Sequence, residues 1–557
     1  LWCVDAAAGT MSELTGYAPP AAAQESEDSY SYINSVAAAE NGDLLVSETV
    51  SMTVFELPEG FSGTEEEKYE YADATQLWRR TLNPAGLSLD TLTNRGISYF
   101  EFSHQQGTHY RVQDGDEQNK LLFTSERYQK IGKYLYGYGR FTFDMGRQFN
   151  RSWSDVLRSH HSNPYFSGSS IKGKYDFQNF DLSAALATLP IKNFTFGARL
   201  DYKVGDLSRL KDPRSRTNLA DYQLTPAVTY TWNKHSLGLS GYYHRRKEKI
   251  PNITTVQTDP NLKYYTFTGM ENTDGTTGGY SGFEREFVNH EFGGELSYQY
   301  KNERIQTLTT LSYAKGNEDV WGDIKYSPGK YHTTTYNLLS MNRIKSGRTE
   351  HIIDISINYQ TGKADEYRQE KIIEKDPVTG IESSYWNTLL TYDERYTVDL
   401  LNANLHYRLL WSNHRTGEAT AYAGARAYFQ SVEDQYNLPS SSLTVRQATI
   451  CMEGGYSFLR KNNRSLWIEA EAGYHISLSS DLSLNDPSTE YTQSVLLPDM
   501  TYYGASYAHG KLQIQYQMPV TIKKHTNVWF VKATGAYLKT DKKTDSKMFG
   551  ISLGLYH

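Results

Sequence analysis

The chain has 557 residues and a net charge of −7, with 45 tyrosines, 21 phenylalanines, 42 glycines, 16 prolines and two cysteines, Cys3 and Cys451. The acidic balance gives no electrostatic reason to expect nucleic acid, and two cysteines make neither a disulfide framework nor a metal-ligand spacing. At a mean hydropathy of −0.63, no apolar run approaches the roughly 18 residues of a spanning helix, whereas abundant Tyr and Gly fit strands whose every second residue is polar.

In chain order, LWCVDAAAGT lacks a Met and is too mixed for a signal peptide's apolar core, so the chain reads as processed or trimmed. Cys3 reads as a plain cysteine, since too few residues precede it to test a lipid anchor. Residues 1–42, with APPAAAQESEDS, read as a flexible lead-in. Asp43 to Leu57 alternates weakly and opens a barrel domain expected over 43–557. Within it, the charged stretch 58–95 reads as an inserted loop or subdomain beside the first hairpin.

From there alternation dominates. In FTFGARLDYKVG (194–205), Phe194, Phe196, Ala198, Leu200, Tyr202 and Val204 share one face, and Thr195, Gly197, Arg199, Asp201 and Lys203 the other. Period two is the signature of a strand. The pattern recurs in Tyr222–Trp232, followed by an Asn233-Lys234 hairpin, and in Leu237–Tyr243, Phe292–Tyr300, His351–Tyr359, Ala419–Ala427, Leu466–Leu478 and Phe549–Leu555. Met500 to Met518 reads as one long strand. Short connections (132–133, 189–193, 233–234, 301–304, 346–347, 412–414, 460–464) alternate with long ones (about 147–170, 206–220, 248–287, 317–329, 362–387, 431–441, 479–498). A soluble sandwich has no reason to sort its connections in this way. The expected fold is all-β: a transmembrane antiparallel up-and-down β-barrel of about 16–18 strands, with short periplasmic turns and long outer loops.

Aromatics beside the short turns predict an interfacial girdle: Trp232, Tyr298, Tyr300, Trp411, Phe458, Trp467 and Trp529. The polar faces predict a mixed-charge lumen lined by Arg199, Asp201, Lys203, His244, Arg246, Glu295, Gln299, Arg426, Glu469, Glu471 and His475. Glu469, Glu471 and His475 lie in a row that reads first as polar wall, and otherwise as a metal or acid–base site. His160-His161 is a weak metal candidate on a loop. The loop 248–287, rich in Thr, Gly and Tyr, reads as a cap, a constriction, a partner contact or a mobile surface loop. No Ser/His/acid grouping, phosphate loop or zinc spacing stands out, so neither an enzyme nor a cofactor is expected.

SYSYINSV (29–36), SWSDVL…NPYF (152–166), LTPAVTYTWNKHSLGLSGYY (224–243) and the closing FGISLGLYH resemble a domain-of-unknown-function family of outer-membrane β-barrels from Bacteroidota, over residues from about 29 to the end. The resemblance implies a Gram-negative outer-membrane location and no assigned chemistry. It also implies companionship with TonB-dependent uptake systems, hence a transport role with outer-membrane lipid, a TonB-dependent receptor or surface lipoproteins as partners. Such barrels end on an aromatic, whereas here Tyr556 is penultimate and His557 last. A passive pore and an accessory barrel of an uptake complex both stay open. So do an outer-membrane enzyme and a structural protein presenting its loops.

Overall fold

The computed structural model describes residues 2–5, 10–13, 33–38, 44–48, 76–90, 94–256, 262–277, 283–412, 419–461, 464–522 and 525–557. The chain divides into two units, Leu1–Phe61 and Ser62–His557. The first holds an antiparallel sheet of β1 (Trp2–Asp5), β2 (Thr10–Glu13), β3 (Ile33–Ala38) and β4 (Leu44–Glu48), in the order β2-β1-β4-β3. Strands thus occur within the stretch read as a lead-in, and Leu44–Glu48 pairs in this sheet rather than in the barrel wall.

The second unit contains β5 (Arg95–Gly107), β6 (Glu117–Ile131), β7 (Leu135–Arg151), β8 (Ser167–Gly168), β9 (Gly173–Thr188), β10 (Phe194–Arg209), β11 (Arg214–Trp232), β12 (His235–Ile250), β13 (Ile253–Thr254), β14 (Lys263–Gly269), β15 (Asn272–Thr277), β16 (Arg285–Lys301), β17 (Ile305–Trp321), β18 (Gly329–Ser346), β19 (Thr349–Lys375), β20 (Glu382–Ser412), β21 (Ala419–Tyr436), β22 (Ser441–Lys461), β23 (Arg464–Ser483), β24 (Tyr507–Ile522), β25 (His525–Thr540) and β26 (Asp545–Tyr556). Eighteen of these close an antiparallel barrel, with β26 pairing back onto β5 through Ile551↔Phe102 and Leu553↔Phe100. The two-residue β13 extends the rim beside β11, while β8, β14 and β15 form a small separate sheet.

The side chains invert the rule for a soluble protein. Leu239, Leu296, Leu311, Leu338 and Ile357 are successive cross-strand partners in one outward row. Leu239 is 59% exposed and Leu311 56%. On the other face of the same strands Glu295, Ser297 and Gln299 are buried. A continuous apolar belt of this kind far exceeds the patches a water-soluble surface carries. It is the surface of a barrel whose outside meets lipid and whose inside is polar. The expected fold class and strand number are the observed ones.

Two expectations change. Several connections read as long loops are hairpins that keep pairing beyond the belt. β10 and β11 pair up to Ser208↔Arg216, β19 and β20 up to Lys375↔Glu382, and β21 and β22 up to Tyr436↔Ser441. Once both faces are wet, apolar alternation stops marking a strand although its backbone ladder continues. The strand expected over Met500–Met518 begins only at Tyr507, because Leu497–Tyr503 is a helix, α1. Pro498 sits in its first turn, where the missing N–H costs nothing. The Gly504 N–H closes the end on the Met500 carbonyl. One strand remains either way, so the strand number is unchanged.

Candidate functional site

The lumen is built from three levels. At the short-turn end, Gln76–Asp90, ahead of the first barrel strand, folds inside the barrel as two 3-10 turns, Leu77–Arg80 and Pro84–Leu89. The second turn is set locally, since the Asn83 Oδ1 accepts the Ala85 N–H at 3.0 Å and Pro84 opens the turn. Trp78 is 1% exposed, and its indole N–H donates to the Gln299 Oε1 at 3.0 Å. The Leu82 N–H donates to Glu295 at 3.1 Å, and the Asn83 amide to the Val228 carbonyl at 3.4 Å. Arg80 pairs with Asp354 at 2.7 Å, while Arg79 lies 3.5 Å over the Tyr128 ring and reaches Glu126 at 3.4 Å. Two wall glycines make the room: a Cβ on Gly197 would stand 2.4 Å from the Ala85 nitrogen, and one on Gly238 2.4 Å from the Asn83 amide. Buried Asp90 accepts the Arg79 N–H, and its carboxyl is pushed up to about 7 by burial, against the pull of Lys301 and Arg79.

At the opposite end, outer segments pack into an apolar cap. Phe166 stacks on Phe267 at 4.1 Å, Trp153 meets Tyr265 at 4.5 Å, and Tyr491 meets Phe267 at 4.8 Å. Fully buried Asp155 accepts from the Tyr175 hydroxyl of the wall at 2.7 Å and the Tyr264 hydroxyl of the cap at 2.8 Å, so it ties cap to wall. Glu271 does the same, accepting from Ser441 at 2.6 Å and from the Asn485 N–H at 3.0 Å. His160 and His161 lie here but do not converge. Their rings are 6.4 Å apart, and each has its own carboxylate, Asp114 at 3.1 Å and Asp434 at 2.8 Å. Burial pulls His160 down to about 4, against its hydrogen bond to the Asp114 carboxylate. On α1, Asp499 accepts the Val112 N–H at 2.9 Å, and burial pushes its carboxyl up to about 7.

Between plug and cap lies a polar chamber. A cavity of about 490 Å³ is lined by Arg80, Asp354, His406, Arg426 and Cys451 among others, and one of about 300 Å³ by Arg79, Glu126, Arg140 and Arg199. Glu453 gathers His406 at 2.8 Å, Arg408 at 3.0 Å and Arg426 at 3.4 Å.

Arg199, Asp201, Lys203, His244, Arg246, Glu295, Gln299, Arg426, Glu469, Glu471 and His475 all occupy inward positions of their strands. Arg199 pairs with Asp201 at 2.8 Å, His244 with Asp221 at 2.7 Å, and Arg246 with Glu248. The row Glu469, Glu471, His475 is dispersed. Glu469 accepts from Tyr422 and Gln513, both at 3.0 Å, Glu471 faces His509, and His475 bonds Thr449 at 2.8 Å. Along a strand, Glu471 and His475 stand about 13 Å apart, too far to share a ligand. Trp232, Tyr298, Tyr300, Trp411, Phe458 and Trp529 take outward positions beside short turns, and Trp232 stacks on His235 at 5.5 Å. Trp467 is the correction. It shares the parity of Glu469, is 7% exposed, and stacks on the lumenal Tyr422 at 6.1 Å. The plug residues Leu77, Trp78 and Arg80 lie in a stretch with no strand periodicity to mark them. Their available signal was an aromatic, basic LWRR and a capping Asn-Pro inside a stretch otherwise too polar to pack.

The sequence profile described as "Family of unknown function (DUF6850)" matches residues 84–557. No curated protein matches the chain. Solved structures similar to it include the FrpB iron transporter from Neisseria meningitidis (TM-score 0.38, 9% identity, 86% of this chain and 83% of that one). Others are the siderophore receptor PirA from Acinetobacter baumannii (0.34, 9%, 84% and 81%) and the outer membrane protein opdK from Pseudomonas aeruginosa (0.33, 9%, 84% and 99%).

Proposed function

The chain belongs to the DUF6850 family, whose function is unknown, and from that premise we propose a transport-related β-barrel of a Gram-negative, Bacteroidota outer membrane that is closed at rest by its own chain. The observation that carries this is the plug: Gln76–Asp90 sits inside the wall, held by three large apolar side chains, Leu77, Trp78 and Leu87, and a handful of hydrogen bonds and ion pairs. The polar contacts contribute only about 0.5–1.5 kcal/mol each and the apolar ones are few, so a partner or ligand can displace the segment without unfolding the wall. Between the two forms of a transport role, this favours the gated accessory barrel of an uptake complex over a permanently open pore. A TonB-dependent receptor or a surface lipoprotein is the partner class.

Single-channel recording in planar bilayers tests the closed state. Folded wild-type protein should carry no steady open steps. Asp155→Ala, which loosens the cap, should leave the barrel silent, and adding Trp78→Ala with Arg80→Ala should introduce transient openings. Steady open steps from the wild type would overturn the closed state, and silence from the combined variant would remove the plug as the gate. Co-purification in mild detergent tests the partner: recovery of the barrel alone from native membranes counts against the uptake complex.

A further inference from the structure

Three lumenal side chains on adjacent strands converge on one point of the chamber wall. Cys451 on β22 and His509 on β24 are both cross-strand partners of Gly473 on β23, and Glu471 lies two residues before that glycine on the same face. The Cys451 Sγ stands 3.4 Å from the His509 Nε2, which stands 3.6 Å from the Glu471 Oε1. One ligand atom from each of the three falls within 4.8 Å of the others. Gly473 keeps the space between them open. A Cβ there would lie 2.5 Å from the His509 ring and 2.8 Å from the Cys451 sulfur.

We propose that Cys451, Glu471 and His509 form a lumenal binding site for a borderline-soft divalent transition-metal ion of the zinc class. The spacing fits. Zinc bonds of about 2.3 Å to sulfur and 2.0–2.2 Å to nitrogen and oxygen, at tetrahedral angles, put neighbouring ligand atoms about 3.5 Å apart. Both separations from Nε2 already match, and the carboxylate needs only a rotation to complete the set. The donors select the ion. Thiolate and imidazole favour zinc, cobalt and copper over magnesium or calcium, which take oxygen. The charges close as well. On binding, the Cys451 thiol gives its proton to solvent, so thiolate and carboxylate neutralise a dication, while His509 bonds through the Nε2 lone pair of its neutral ring. Its Nδ1 makes no hydrogen bond in the structure and is free to carry the ring proton. Cys451 also lines the cavity of about 490 Å³, which gives the ion an approach and leaves a fourth position toward the lumen. The site goes beyond the transport role and stands without it.

The test uses the full chain, purified in detergent, stripped with chelator and titrated with Co²⁺ and then Zn²⁺. One equivalent should bind with a thiolate-to-cobalt charge-transfer absorption that Zn²⁺ displaces. Cys451→Ser should abolish the band. His509→Gln and Gly473→Ala should each weaken Zn²⁺ binding about tenfold or more, whereas Cys3→Ser should leave both band and affinity unchanged. Absence of the band in wild type would overturn the assignment, as would a band that survives Cys451→Ser or a Zn²⁺ affinity indifferent to His509→Gln. Heat-modifiable gel mobility of each variant establishes that the barrel is folded, so lost binding reports the site.

Discussion

The two ends of the lumen are closed by different chemistry. The cap is a true core: Trp153, Tyr165, Phe166, Tyr264, Phe267 and Tyr491 are buried together, and the carboxylates of Asp155 and Glu271 bolt them to the wall. The plug has three large buried apolar side chains, Leu77, Trp78 and Leu87, and otherwise rests largely on polar contacts with the wall. Burial of apolar area scales with the number of groups buried, while each polar contact nets little. The cap should therefore open only with much of its fold, and the plug should leave as a small unit.

Four substitutions and one titration probe that contrast, in order of expected effect. Trp78→Ala should weaken plug docking by about 3–5 kcal/mol, seen as fast hydrogen exchange across 76–90 with the wall still protected. Asp155→Ala removes the acceptor of two buried tyrosine hydroxyls and should cost the cap about 3 kcal/mol, read as proteolysis within 152–172 and 262–277 while plug exchange stays slow. If the same substitution frees the plug, the two ends are coupled and the contrast fails. Gly197→Val places side-chain atoms against the Ala85 backbone and should expel the second turn of the plug at a cost of about 1–3 kcal/mol, which exchange at Pro84–Leu89 would register. Asp499 and Asp90 carry carboxyls raised to about 7. A raised carboxyl favours the folded state below its unfolded value and loses that contribution as pH rises through about 7. Both ends should thus show lower protection, taken relative to the intrinsic exchange rate at each pH, at pH 8 than at pH 5, with Asp499→Asn flattening only the cap profile and Asp90→Asn only that of the plug. Arg80→Ala breaks a pair whose arginine is 35% exposed, so about 1 kcal/mol of plug docking is the most it should cost.

What the sequence shows follows from which physics is local. Alternation and turn spacing are local, so the barrel, its strand number and the inward set from Arg199 to His475 are legible. Trp467 lies beside a short turn yet shares the parity of Glu469, and parity rather than nearness to a turn decides which side of a wall a residue faces. The cap and plug need packing between segments hundreds of residues apart, such as Trp78 with Gln299, and no period records that. The Cys451–Glu471–His509 cluster depends on the register of three strands. A scan along one strand finds Glu469, Glu471 and His475, which point to different partners, and misses the residues that meet across the ladder.

Hydrogen exchange of the folded wild-type barrel, followed across Gln76–Asp90, tests the central claim most directly. A seated plug predicts that the Arg79, Leu82 and Ala85 amides, bonded to Asp90, Glu295 and Asn83, exchange far more slowly than in a free peptide, and that Trp78→Ala abolishes the protection. Exchange of this segment at the free-peptide rate in wild-type protein would mean that the lumen is not closed at its short-turn end.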